Sequence, residues 1–453
     1  GIPGDKRLGD GDIVNIDVTV ILDGWHGDTS RMYNVGKVKR LAERLVEITH
    51  QALWEGINVV RPGATVGDIG HAIQVFVEAE RFSVVRDFCG HGLGQVFHDA
   101  PSILHFGQPG TGAPGGVVKR VRELVGNHLL GYTDAFGIPE LRAKIAAHYQ
   151  TAYGVSVDIA NVVVTTGSSG AFVVSFLAAF DAGDRVALAS PGYPAYRNIL
   201  TALGVDVVDI PVGPDTNFQP SVEILESLVS GGESIDGLIV ASPSNPTGTM
   251  LQPEEVAELA RYCDTAGIRL ISDEIYHGIT FGVRAETALI ASPSAVVINS
   301  FSKYYSMTGW RLGWMIVPDD LLRAVECLSQ NLFISPPAVS QQAGVAAFDC
   351  AEELDGNVQR YAENRALLLR ELPRAGFRNL ASADGAFYIY ADIGDLTNDS
   401  EAFCKRMLTE TNIAATPGTD FDPDRGHRFL RLSFSGETAV MAEAAERLRH
   451  WLA

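Results

Sequence analysis

Cysteine is scarce in this sequence, with 5 residues among 453, at positions 89, 263, 327, 350 and 404. The number is odd, the spacing is scattered and no Cys-x-x-Cys pair occurs. No disulfide framework is therefore expected, and the cysteines read as free thiols of a reducing, cytoplasmic compartment. Positive charge is also short. Lys and Arg total 35 against 55 Asp and Glu, a net charge of −20. That balance argues against nucleic acid or an anionic membrane as a partner, while a local basic pocket can still bind phosphate. No signal-type segment, no apolar span of bilayer length and no tandem repeat is found. What remains, at 46% hydrophobic residues, is folded chain long enough for two or three domains.

The most informative stretch is Ser300-Phe301-Ser302-Lys303, which closes the apolar run Val296 to Ser300 and is followed by Gly309-Trp310-Arg311. A lysine at the C-terminal end of a buried strand is poorly placed for packing. It is well placed for chemistry, because ligands bind in the crevice beyond the strand ends of open α/β sheets. Partial desolvation and a second cation such as Arg311 would lower the amine's pKa and let it form a Schiff base with a carbonyl.

Four more apolar runs end in the same way. Asp273 follows Ile268 to Ser272, and Asn245 follows Leu238 to Ala241. Tyr193 follows Val186 to Ala189. Thr165-Thr166-Gly167-Ser168-Ser169-Gly170 follows Val162 to Val164 and opens an apolar helix. Five such strands predict a doubly wound sheet with one composite site at one edge. The Gly-Ser-Ser-Gly turn presents backbone N–H groups and hydroxyls at a helix N-terminus, which makes a phosphate cup.

From Gly107 onward the sequence resembles the class I/II aminotransferases of the pyridoxal-phosphate fold type I group. The resemblance implies an α/β fold in which a doubly wound, mainly parallel sheet forms a large domain beside a smaller α+β domain. It implies pyridoxal 5′-phosphate held covalently by Lys303, which also shuttles a proton at the substrate Cα. Asp273 would keep the pyridine nitrogen protonated, so that the ring acts as an electron sink. Tyr276 and Asn245 would bond the ring's phenolic oxygen and Tyr193 would stack on its face. Ser168, Ser169, Ser300, Ser302 and Arg311 would lie at or near the phosphate. Arg431, in Phe-Leu-Arg-Leu-Ser, would clamp the substrate α-carboxylate, with Asn245 and the backbone of Gly107 beside it. Without the resemblance, Arg431 reads as a charge on the wet face of a strand. Tyr132 would reach the phosphate of a neighbouring subunit, which implies a homodimer.

Residues 1–106 do not fit that fold. Ile13 to Leu22 alternates, and Asp23-Gly24 is a hairpin turn signal. If Leu22 pairs with Trp25, Thr19 pairs with Asp28, which puts Asp28 on the face of Asp17, roughly 7–8 Å away. The strings Asn-Ile-Asp-Val-Thr, Trp-His-Gly-Asp-Thr-Ser-Arg and Cys-Gly-His-Gly-Leu-Gly-Gln-Val-Phe-His resemble the middle of a type I methionine aminopeptidase. The resemblance makes this an incomplete α+β pita-bread-like fragment. It gives Asp17, Asp28 and His91 as three of five metal ligands and His98 as a substrate-side histidine. The motifs of the last two ligands, both glutamates, do not occur after residue 106. A two-metal hydrolase needs both ions, so the site is expected to be incomplete and no working divalent-metal centre is expected.

The string Gly107 to Pro114 reads naturally in both families, and the expected reading is a chimeric join within it. The expected segments are a peptidase-like fragment at 1–106, a junction at 107–128, a cofactor-binding large domain at 129–335 and a small domain at 336–453. The function expected is transfer of an amino group between an L-amino acid and a 2-oxo acid. A metal-dependent methionine aminopeptidase and a non-catalytic aminotransferase-like regulator are the alternatives.

Overall fold

The computed structural model describes residues 7–61, 65–85, 89–92, 99–107, 113–127 and 130–452. The chain forms two compact units, Gly1–Gly112 and Ala113–Ala453.

In the first unit, β1 (Ile13–Leu22) and β2 (Trp25–Asn34) form an antiparallel hairpin. Its turn residues Asp23 and Gly24 both adopt positive φ, 51° and 81°, the backbone that a two-residue hairpin turn requires. The register pairs Leu22 with Trp25 and Thr19 with Asp28, as the turn signal predicts. Two helices follow, Arg40–Asn58 and Val66–Ala79. They approach closely at Gly56, where a Cβ would lie 2.8 Å from Ile73 Cδ1. Thr65 and Asp68 form a capping box on the second helix. A short pair, β3 (Gly90–Gly92) with β4 (Asp99–Ile103), completes the described elements of this unit.

Gly107 belongs to this unit. His71 Nδ1 donates to its carbonyl at 3.2 Å, and its N–H donates to Gln74 Oε1 at 3.4 Å. The compact boundary therefore falls between Gly112 and Ala113, six residues beyond the expected one, because the Gly107 backbone is tied to the helix Val66–Ala79.

The second unit is built on seven strands, β5 (Val162–Thr165), β6 (Arg185–Ser190), β7 (Asp206–Pro211), β8 (Gly237–Ala241), β9 (Arg269–Asp273), β10 (Val296–Ser300) and β11 (Gly313–Ile316). Their order is β5-β11-β10-β9-β8-β6-β7. Only β11 runs against the others, so the five expected strands point their C-terminal ends to one edge. Both faces are buried. Val163, Ile239, Ile271, Ile298 and Met315 pack into one core with Phe172 and Phe176. The alternate residues Val162, Val164, Leu238, Leu270, Val297 and Trp314 pack into the other with Leu141 and Ile145. Burial on two sides is why these strands read as unbroken apolar runs. Each such side chain contributes about 1.5–3 kcal/mol.

A second sheet, all antiparallel, has the order β12-β13-β15-β14. Its strands are β12 (Asn379–Leu380), β13 (Tyr388–Asp392), β14 (Thr416–Pro417) and β15 (Phe429–Ser433). β13 begins only at Tyr388, because Ala386 sits at φ 55° and donates its N–H to Ile279 O. That bond and Gly385 N→Gly248 O stitch the small sheet to loops of the large one. The helix Gly115–Asn127 lies against the helix Ala338–Ala347, with Arg120 Nη2 donating to Gln342 Oε1 at 2.9 Å.

Beyond β9, Glu274 and His277 are buried polar residues. Glu274 Oε1 accepts from Ser272, Thr287 and the Ala288 N–H. Burial pushes this carboxyl up to about 8, against those three hydrogen bonds. The His277 imidazole meets the Ser242 carbonyl through Nε2 at 3.0 Å and the Tyr153 hydroxyl through Nδ1 at 2.7 Å. Burial lowers its pKa from the usual 6.5 to about 4. At His277 the unfolded chain therefore binds a proton between pH 6.5 and 4 that the folded chain refuses, so this group's contribution to stability is lost as pH falls through that window, while the raised Glu274 carboxyl contributes with the opposite sign. Denaturant unfolding at pH 7 and pH 4 should show His277→Gln losing less stability than wild type over this interval, by up to about 3 kcal/mol.

Candidate active site

The residues expected to carry chemistry in the second unit gather where the strands end. Asp273 is the last residue of β9 and is buried. Ile275 N–H donates to its Oδ1 at 3.1 Å, and the Tyr196 hydroxyl donates to its Oδ2. Burial pushes this carboxyl up to about 6, against those two hydrogen bonds and the charge of Lys303. Lys303 lies just beyond β10. Its Nζ is 5.4 Å from the Tyr276 ring and 5.6 Å from the Phe387 ring. Burial lowers its pKa, the Asp273 carboxylate opposes this, and Arg431 and Arg311 lower it further.

Ser168 and Ser169 fall in the first turn of the helix Gly167–Ala179. Arg311 adopts φ 51°, and its Nη1 donates to Thr308 O at 2.9 Å. Its guanidinium lies so close to Gly167 that a Cβ there would stand 2.5 Å from Nη2. A glycine is required at this point of close approach. A guanidinium and the positive end of a helix dipole thus meet at one place, an arrangement that an anion stabilises. Ser300 uses its hydroxyl within the turn, donating to Leu312 O at 3.3 Å and accepting from Ser302 N–H at 3.0 Å. Tyr193 stands immediately before the helix Pro194–Ala202, with its ring edge-on to Tyr196 at 5.4 Å.

On the small sheet, Arg431 extends from β15. Its Nη1 donates to Asn245 Oδ1 at 2.6 Å and its Nη2 to Thr416 Oγ1 at 3.2 Å. The planar group lies 4.4 Å from the Tyr388 ring and 4.7 Å from the Phe421 ring. The wet-face alternative does not describe it, since two rings and two acceptors fix the guanidinium in place.

Family comparison agrees with this geometry. The family model "Aminotransferase class I and II" matches residues 104–448. The chain belongs to this family. A second family model, "Metallopeptidase family M24", matches residues 1–121. The two matches overlap across the string that reads in both families, so a peptidase-like segment precedes an aminotransferase domain. The valine–pyruvate aminotransferase of Mycobacterium tuberculosis is 52% identical over 353 residues, 77% of this chain and 90% of that protein. A crystal structure of an aminotransferase from the same organism shares 52% identity with a TM-score of 0.74, over 77% of this chain and 90% of that one. The methionine aminopeptidase of Rickettsia prowazekii is 50% identical over 164 residues, 35% of this chain and 63% of that protein. This aminotransferase thus has the expected α/β fold type I architecture, and it is an enzyme acting on amino acids and 2-oxo acids.

The family implies pyridoxal 5′-phosphate, and the residues present fit it. An anion cradle at Gly167 and Arg311, a buried carboxylate at Asp273 and a desolvated amine at Lys303 match phosphate, ring nitrogen and carbonyl in turn. Gly107 lies in the first unit, as described above. Tyr132 is 83% exposed. In the first unit, Asp28 Oδ1 accepts from Thr19 Oγ1 at 2.8 Å. Among the described residues no set of three or more His, Cys, Asp or Glu converges to hold a metal, so Asp17, Asp28 and His91 are not gathered into one. His98 lies outside the described residues.

Tyr196 and Tyr388 escape the sequence reading. Tyr196 had a usable signal, since it follows Tyr193 by three residues at a helix start and so shares its face. Its hydroxyl favours the ionised form of Asp273. Removing it in Tyr196→Phe should raise the carboxyl further and move the acid midpoint of cofactor uptake by apoenzyme upward by about one pH unit. A spectroscopic binding titration across pH 5–8 reads this directly.

Proposed function

We propose that this aminotransferase exchanges the amino group of a small aliphatic L-amino acid of the valine type with pyruvate. The likeness to the Mycobacterium tuberculosis valine–pyruvate aminotransferase supports that substrate pair. The observation that carries the site assignment is Lys303, a half-buried amine beside two aromatic rings and within the field of the Asp273 carboxylate. An amine with a lowered pKa is neutral often enough to hold the cofactor's carbonyl covalently and to take and return a proton at the substrate Cα. The bound cofactor supplies a ring that withdraws negative charge from that carbon.

The other residues hold parts in place. Asp273 keeps a proton on the ring nitrogen, with Tyr196 fixing its orientation. Asn245 spends its oxygen on Arg431, which leaves its amide N–H₂ to donate to the ring's phenolic oxygen beside Tyr276. Tyr193 covers the ring face. Ser168, Ser169, Ser302 and Arg311 surround the phosphate, with Ser300 bracing the turn. Arg431, flat between Tyr388 and Phe421, offers its remaining N–H edge to the substrate carboxylate. The exposed Tyr132 is suited to a partner subunit's phosphate, so the working form is a homodimer. The compartment proposed is the cytoplasm.

The test is a half-reaction screen, in which each of twenty amino acids is added to holoenzyme while the visible cofactor band is followed. Valine and its small aliphatic neighbours should bleach the band, and pyruvate should restore it. Conversion by acidic amino acids alone would overturn the substrate assignment. Lys303→Ala should lose both the visible band and turnover, and a variant with normal turnover would end the assignment of Lys303. Arg431→Ala should keep the band but weaken amino-acid binding by about 2–5 kcal/mol, read as a rise in KM.

A further inference from the structure

The Tyr388 ring packs against Arg431, but its hydroxyl has no part in the roles above. Tyr388 is the first residue of β13 and is buried. On the small sheet Tyr390 pairs with Arg431 and Tyr388 with Ser433. Tyr388 and Arg431 are therefore diagonal neighbours on one face, and the guanidinium rests 4.4 Å from the Tyr388 ring centre. At its other end, the Tyr388 hydroxyl meets the Tyr276 hydroxyl at 2.8 Å. Tyr276 belongs to the loop after β9 and is also buried, with its ring beside Lys303. The hydroxyl pair thus joins a strand of the small sheet to a loop of the large one.

We propose that Tyr388 is a positioning residue that couples the carboxylate-binding Arg431 to the hydrogen bond Tyr276 makes on the cofactor side. This rests on the roles proposed for Lys303, Tyr276 and Arg431.

Each phenol carries one proton. Both hydroxyls stay protonated, because burial raises the pKa of each. When Tyr276 donates to Tyr388, its proton is spent and the ring oxygen of the cofactor loses a donor. When Tyr388 donates to Tyr276, the Tyr276 proton turns to the ring oxygen, and the two bonds in series strengthen each other. The guanidinium over the Tyr388 ring draws electron density from the phenol and makes it the better donor. A substrate carboxylate on Arg431 offsets that charge, which weakens Tyr388 as donor and in turn weakens the Tyr276 bond. The other groups that act on this pair are Asp273 at the end of β9, Lys303 beyond β10 and Tyr193 before the helix Pro194–Ala202. None of them connects to the carboxylate end through a ring contact of this kind.

The test uses holoenzyme, wild type and Tyr388→Phe, with the visible cofactor band titrated from pH 5 to 10. Each titration is repeated with isovalerate, a carboxylic acid with no amino group to react. The phenylalanine keeps the ring under Arg431, so KM for the amino acid should change by less than about twofold. Loss of the hydroxyl should raise the midpoint of the band by about half a pH unit, the scale of one hydrogen bond. It should also reduce the isovalerate-induced shift without abolishing it, because the ring route from Arg431 is lost while its bond to Asn245 and its charge on Tyr276 remain. A variant that binds cofactor with its midpoint and isovalerate shift unchanged overturns the proposal. The double variant Tyr276→Phe/Tyr388→Phe gives a second reading. Its midpoint should match that of Tyr276→Phe alone, since Tyr388 acts through Tyr276, and additive shifts would overturn the coupling. A wild-type protein that takes up pyridoxal phosphate without any titrating visible band would fail differently, sinking the assignment of Lys303 and this proposal with it.

Discussion

A sheet buried on both faces leaves a chain few places to keep polar side chains. Strands β5, β6, β8, β9 and β10 send apolar residues to each side in turn, so charge and hydroxyl must be deferred to the residues where the strands stop. Parallel strands stop at the same edge. The catalytic cluster is therefore a consequence of the core, and each functional residue is held by a strand whose position the core determines. Asp273, at the end of the central strand β9, is the most costly of them to desolvate. Its hydrogen bonds from Tyr196 and Ile275 and the facing Lys303 are what keep its charged form within reach near pH 6.

The site balances three cations against little negative charge. Arg311 and Arg431 both act on Lys303, and Asp273 offsets them there. An excess of positive charge favours ligands that bring anions. The family cofactor brings a phosphate and the substrate brings a carboxylate, and in the proposed roles each would have its own arginine. The overall charge of −20 does not conflict with this, since what acts on a bound phosphate is the local field of two guanidinium groups and a helix end.

Much of this arrangement was legible in the sequence, because apolar runs closed by a single polar residue carry both the strand and the site in one string. The hairpin register at Asp23-Gly24 was legible for a similar reason, since two residues determine the turn and the turn determines the pairing. Contacts made between distant segments were not legible. Tyr388 meets Tyr276 across 112 residues, and no local pattern announces such a pair. The reversed strand β11 is as buried as its neighbours β5 and β10, so burial alone does not reveal its direction. Gly107 belongs to a string that two folds can use, and side-chain bonds from His71 and Gln74 decide which one holds it.

The two-stranded hairpin of the first unit has a further consequence. Ile16, Val18, Val20 and Trp25 are all at least 47% exposed, and among the described residues each strand has just one partner, so the hairpin offers edges and apolar surface together. Adhesion through such edges acts over a few ångströms and barely depends on salt. The repulsion between two molecules each carrying −20 acts over a Debye length, about 8 Å at physiological ionic strength and about 3 Å at 1 M. Colloidal stability here is thus a contest between a long-range force and a contact force. Added salt weakens the long-range force and leaves contact adhesion in place.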